Sequence, residues 1–207
     1  KGHVVLPGEA IGEYGADTVR FFLLNSAEPW QDYDWRDDLV GSVHDQLERF
    51  WNRAQEIITD PGPDDQPDLE TVDRWLLSKL QDTVRDVTTA MDEAETRSAS
   101  QAAFYNFEES LRWYRRRTDL DRPAAKWTLR TVLETRLRLL APFIPFMTNE
   151  LHEQLTGTPA EDAPWPEPDE SFEDESVELE ERQVERLTED VRDIIDVTDS
   201  DPDTIRV

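Results

Sequence analysis

Apolar positions recur along this chain at three- and four-residue intervals, the spacing that puts one hydrophobic stripe on a helix. Pro7 to Ser26 reads as two short helices: Pro7 suits a first helical position, and Val19, Phe22 and Leu23 share a face. Leu39, Val40, Val43, Leu47, Phe50, Trp51, Ala54, Ile57 and Ile58 predict an amphipathic helix of about six turns. It must stop at the proline-rich run Asp60 to Pro67, where prolines remove backbone donors and push their predecessors out of helical geometry. A second long helix is expected from about Leu69 to Glu93, and a third from about Ser100 to Arg117 with Ala103, Phe107, Leu111 and Tyr114 inward. Asp121 reads as the N-cap of a fourth, carrying Leu129, Val132, Leu133, Leu137 and Leu140, and a fifth follows from about Pro145 to Leu155. Long helices joined by short loops make an antiparallel bundle.

The remaining residues change the pattern. Gly157 to Ser176 is rich in proline and acid, with Ala163-Pro164-Trp165-Pro166 as its apolar anchor, and is expected to cross the surface as a linker. Val177 to Val197 regain helical spacing, and Thr204 to Val207 reads as the first residues of a strand. The fold expected is mainly α, a helical bundle preceded by a short segment and followed by the start of a small α/β domain. Its parts would be residues 1–36, 37–156, 157–176 and 177–207. The chain opens at Lys1-Gly2-His3 without a Met, as a piece of a longer protein would.

Composition narrows the chemistry. Among 207 residues there is no cysteine, and His3, His44 and His152 are scattered, so thiolate sites, disulfides and a histidine-built metal centre are not expected. Asp32, Asp34, Asp37 and Asp38 resemble paired carboxylates, but a loop and helix N-terminus attract acids anyway. The formal net charge is -26, with 48 acidic against 22 basic residues, and only three of those basic residues are lysines. Acids spread along helices in this way suit a protein hydrated by carboxylates in a salt-rich cytoplasm. No stretch is long and apolar enough for a membrane span.

One segment departs from that background. Arg112 to Arg138 carries nine basic residues against three acids, a local +6, which leaves -32 for the rest. Arg112, Arg115 and Arg116 lie at i, i+3 and i+4, with Trp113 beside them and Arg117, Arg122 and Lys126 close behind. Forked guanidinium groups next to an aromatic suit phosphate and base or sugar, so an RNA backbone is the expected partner. Trp113 and Tyr114 stay ambiguous between that face and the core, and Arg130, Glu134 and Arg138 read more simply as a salt-bridge ladder.

Sequence motifs then point to a family. Lys1-Gly2-His3-Val4-Val5 and Gly15-Ala16-Asp17-Thr18-Val19-Arg20 resemble the stretch after the Lys-Met-Ser-Lys-Ser signature of class I aminoacyl-tRNA synthetases. Ala27-Glu28-Pro29-Trp30-Gln31-Asp32-Tyr33-Asp34-Trp35-Arg36 is similar to leucyl-tRNA synthetases, with valyl-, isoleucyl- and methionyl-tRNA synthetases as runners-up. Asp73 to Ser78 and Leu140 to Leu151 resemble the helical anticodon-binding domain, and Gln101 to Tyr105 with Trp113 to Arg117 resemble its archaeal branch.

The resemblance implies an enzyme that ligates leucine to tRNA(Leu) with ATP and Mg2+, its catalytic and editing sites upstream of Lys1, so that this chain alone is inactive and holds no cofactor. Lys1, Gly2 and His3 would adjoin the ATP signature loop, and residues 2–35 would contact the inner corner of the tRNA. Arg36 joins Arg112, Trp113, Arg115, Arg116, Arg117, Arg122 and Lys126 as candidates for tRNA contact. A cytoplasmic monomer, away from membranes, is expected. The competing expectation, from another class, is an acidic helical module that binds a basic protein and no RNA.

Overall fold

The computed structural model describes residues 6–32 and 35–198, and within them the regular structure is helical throughout. Helices α1 (Pro7–Tyr14) and α2 (Ala16–Ser26) precede α3 (Asp37–Thr59) and α4 (Thr71–Asp92). One continuous helical rod follows, made of α5 (Thr96–Ser100), a π-helical turn at Gln101–Asn106, and α6 (Phe107–Arg117). Then come α7 (Pro123–Leu140), α8 (Pro145–Thr156) and α9 (Glu175–Thr198). The expected strand at residues 204–207 lies outside the described residues, as do Lys1, Gly2, His3 and Asp34.

Helix ends follow their local chemistry, with one correction. Arg122, not Asp121, is the N-cap residue of α7, because Pro123 already occupies the first turn with its fixed φ and missing donor. At α4, Glu70 and Asp73 form a reciprocal capping box. Gly157 ends α8 in the left-handed region at φ 82°. Gly62 has φ 76°, and a Cβ there would sit 2.7 Å from the Lys126 Cβ, so the proline-rich loop lies flat on α7 only because that residue has no side chain.

α4 touches α5, α6, α7 and α9, and its two halves serve two cores. Val72, Trp75, Leu76, Leu77 and Leu80 pack with Phe107, Leu111, Tyr114, Trp127 and Val132. Val84, Val87 and Ala90 pack with Phe21, Val40, Phe50, Phe104, Leu137 and Leu140. Leu39, assigned to the inward stripe by spacing, is instead 42% exposed at the start of α3. The acidic stretch after Gly157 holds more than the one expected anchor. Ala160 is buried, Phe172 lies against the Trp127 ring at 6.3 Å, and the Trp165 indole donates to Thr88 Oγ1 at 2.8 Å. Beyond it Val177 is buried and Val184 packs on the α4–α6 core.

Two acids of the N-terminal segment cap bundle helices from outside. Asp17 accepts from the Met147 amide at 2.7 Å at the start of α8, and Glu28 accepts from the amides of Arg97 and Ser98 at 3.1 and 2.9 Å at the start of α5. Arg20 adds a bond to the Pro142 carbonyl at 2.9 Å. The segment is thereby fixed to the bundle by directional contacts as well as by Phe21 and Phe22 in the core.

Candidate nucleic-acid interface

α6 is an amphipathic helix with an apolar side made of Phe107, Leu111 and Tyr114, all buried, so its other side must carry the arginines. The structure sorts the candidate residues into two groups. Trp113 goes inside: it is 5% exposed and its indole donates to Glu181 Oε2 of α9 at 2.9 Å. Tyr114 is inside as well, its hydroxyl donating to Asp73, and burial followed by that hydrogen bond pushes the phenol far above its ordinary pKa. Neither ring presents a face to a base.

Arg117 forms a two-point contact with the same Glu181, at 3.1 and 3.0 Å. Arg122 reaches the fully buried Asp73 at 3.0 Å and Glu70 at 3.1 Å, tying the α6–α7 turn to the N-terminus of α4. Lys126 pairs with Asp60 at 2.6 Å, and Arg36 pairs with Asp38 at 2.8 Å. The expected ladder is only half formed: Arg138 lies 3.9 Å from Glu134, while Arg130 turns to Asp64 at 3.5 Å. The proline-rich loop competes for Arg130 because it packs on that side of α7.

In the other group Arg112 and Arg116 point outward. Arg112 is 65% exposed with Glu109 at 3.8 Å, and Arg116 is exposed, its guanidinium carbon 5.4 Å from the centre of the Trp113 ring. Arg115 lies half-buried toward α3. Burial, and Arg53 beside it, lower its pKa, while Glu108 and Glu56 offset this in part.

Below them sits a cluster that spacing alone did not indicate. Arg136 of α7 is 3% exposed and donates to the carbonyls of Ala103 and Phe104 in the π turn, each at 3.2 Å. It also donates to Glu108 Oε1 at 3.0 Å and lies over the Phe50 and Phe107 rings at 5.4 and 5.3 Å. Arg53 of α3 binds the other oxygen of Glu108 at 2.9 Å. Burial would raise the Glu108 pKa, but Arg136 outweighs it and holds the carboxyl below the ordinary range. The only signal in the sequence was Arg136 at a position flanked by inward residues. Among the described residues no three His, Asp or Glu side chains converge as a metal site, and no helix is long and apolar enough to cross a membrane.

Comparison with known proteins bears on this face. Residues 73–207 match the family described as the anticodon-binding domain of tRNA ligase. The chain is 38% identical to the leucine–tRNA ligase of Methanothrix thermoacetophila over 202 residues, covering 98% of this chain and 21% of that protein. Identity to the leucine–tRNA ligase of Pyrococcus abyssi is 40% over 199 residues, 95% of this chain and 20% of that one. The chain thus spans about a fifth of the length of these relatives. In fold it is similar to the agnB2 LeuRS of Agrobacterium radiobacter K84, solved as a ternary complex with tRNA and LeuAMS. The TM-score is 0.65 at 22% identity, covering 83% of this chain and 22% of that one.

Proposed function

Because this chain belongs to the anticodon-binding domain family of tRNA ligases, we propose that it is the tRNA-positioning part of a leucyl-tRNA synthetase of archaeal, halophilic type. The observation that carries this reading is the outward face of α6. Arg112 and Arg116 emerge there, with Arg115 half-buried at their edge, without the close carboxylate partners that hold Arg117 and Arg122, in a chain whose net charge is -26. Cations left open against such a background suit a polyanion, and phosphate contacts fix register without reading sequence. Similarity at 38–40% to archaeal leucine–tRNA ligases over nearly the whole chain favours leucine over valine, isoleucine or methionine as the amino acid.

In this reading leucine, ATP and Mg2+ are bound by parts of the enzyme outside this chain. Lys1, Gly2 and His3 adjoin the ATP signature loop, and the protein acts as a cytoplasmic monomer. What these residues do is hold tRNA(Leu): the bundle presents a shaped basic face, and the segment clamped by Asp17 and Glu28 keeps a fixed angle to it.

Charging by the full-length protein tests the assignment. Leucine should be transferred to tRNA(Leu), and robust charging with valine but not leucine would overturn it. An acidic module for a basic protein would show no tRNA binding at all. The halophilic part predicts that helicity measured by circular dichroism falls on dialysis to low salt, since unscreened carboxylates repel one another. Unchanged helicity would remove it.

A further inference from the structure

Between α3 and α6 the charges do not balance. Arg49 and Arg53 of α3 and Arg112 of α6 line an open groove of about 260 Å³, together with Phe50, Phe104 and Tyr105, and Glu108 is its one lining carboxylate among the described residues. Glu108 is already claimed, since Arg53 binds one of its oxygens and Arg136 the other. Arg49 is exposed and has no ion pair among the described residues. Among the described residues Arg112 reaches only Glu109, across 3.8 Å of well-solvated space where an ion pair is weak. Arg115 lies next to Arg53 and also lacks an ion pair among the described residues. Arginines gathered this closely repel one another unless an anion joins them.

The floor of the groove is fixed while its rim is not. Arg136 is held by two carbonyls of the π turn and by two aromatic rings, and it fixes Glu108, which in turn holds Arg53. Wide π turns of this kind recur at functional sites. A second open cavity shares Arg53 with the groove and is lined by Arg115 and Lys126, but also by Glu56, Asp60 and Asp121, so the cation excess is confined to the groove itself.

We propose that this groove seats one phosphate group, gripped from the α3 side by Arg49 and Arg53 and from the α6 side by Arg112. In the RNA reading, on which this rests, the group is a backbone phosphodiester of the tRNA. Arg136 acts through Glu108 as a positioning residue. The planar, forked donors of three guanidinium groups meet a tetrahedral anion from several directions at once. The second wall is α3, which the +6 segment does not include and which supplies two of the three gripping arginines.

The test is the salt dependence of tRNA(Leu) binding by the full-length protein carrying Arg49→Gln and Arg53→Gln together. The slope of log affinity against log salt should become shallower by about one, for the one phosphate whose grip is removed. Arg85→Gln serves as control, because Arg85 on α4 is held by Asp82 and Glu173, and it should leave both slope and helicity unchanged. An unchanged slope in the double variant, with wild type binding normally, overturns the seat. If wild type fails to bind tRNA, the RNA reading falls by itself, and inorganic phosphate against chloride at matched ionic strength decides the seat. A phosphate-specific rise in melting midpoint that the double variant loses supports it, and equal midpoints overturn it.

Discussion

Around the α6–α7 turn Arg117, Arg122 and Lys126 each find a carboxylate brought by another helix or loop, whereas on α6 Arg112 and Arg116 find, among the described residues, only Glu109 at 3.8 Å and the Trp113 ring. The two stretches look alike in sequence, and both contribute to the local +6. What separates them is the partner each meets after folding. Asp60, Asp73 and Glu181 arrive from α3's end, α4 and α9, each more than 45 residues away along the chain. Local charge therefore marks where cations are concentrated, and the tertiary neighbours decide which of them hold the fold and which are left for an anion.

That division can be broken from either side. The largest effect should come from Arg136→Met, which removes the buried cation on which Glu108 and the π turn depend. Breaking a buried, hydrogen-bonded pair from one end costs about 3–5 kcal/mol, to be read by chemical denaturation at fixed salt. A loss under about 1 kcal/mol, the range of an exposed pair, would place Arg136 with the open cations instead. Tyr114→Phe comes next. It takes one donor from the buried Asp73 while leaving Arg122 in place, and a hydrogen bond to a charged group contributes about 1.5–3 kcal/mol. No change in stability would mean that the turn does not depend on this carboxylate.

A pH titration sharpens the comparison with a smaller effect. Burial opposes ionisation of Glu108, but Arg136 prevails and its pKa is lowered, so its contribution to stability is present above the ordinary glutamate range. That contribution is lost as pH falls through the lowered value. The stability difference between wild type and Glu108→Gln should accordingly shrink with falling pH in that acid window, and a difference independent of pH there would contradict the ion-pair origin.

Much of the fold was legible because its signals are local. The apolar stripes placed α3, α4 and α8 within a few residues of their observed ends and α6 at its C-terminal end only, its expected first turns being the π turn, and Pro7, Pro145 and the Asp60–Pro67 run marked starts and stops through missing donors and fixed φ. The errors came where a second rule acted at the same residue, as at Asp121, where Pro123 moved the cap, and at Leu39, where helical spacing continued past the edge of the core. The site was legible only as a charge excess. Arg49 and Arg53 sit among acids on α3 and stand out only once α6 is beside them, and Arg136 became recognisable once the π turn supplied its carbonyls. Trp113 stood next to arginines in sequence and proved to be core, because a helix turns adjacent residues to different faces.

The most direct measurement is the affinity of the full-length protein for tRNA(Leu) across a salt series, comparing wild type with the Arg112→Ala, Arg115→Ala, Arg116→Ala variant. Weaker binding with a shallower slope, by about one for each of these arginines that faces a phosphate, is the predicted result. Identical affinity and slope in the two proteins would contradict the assignment of this face to RNA.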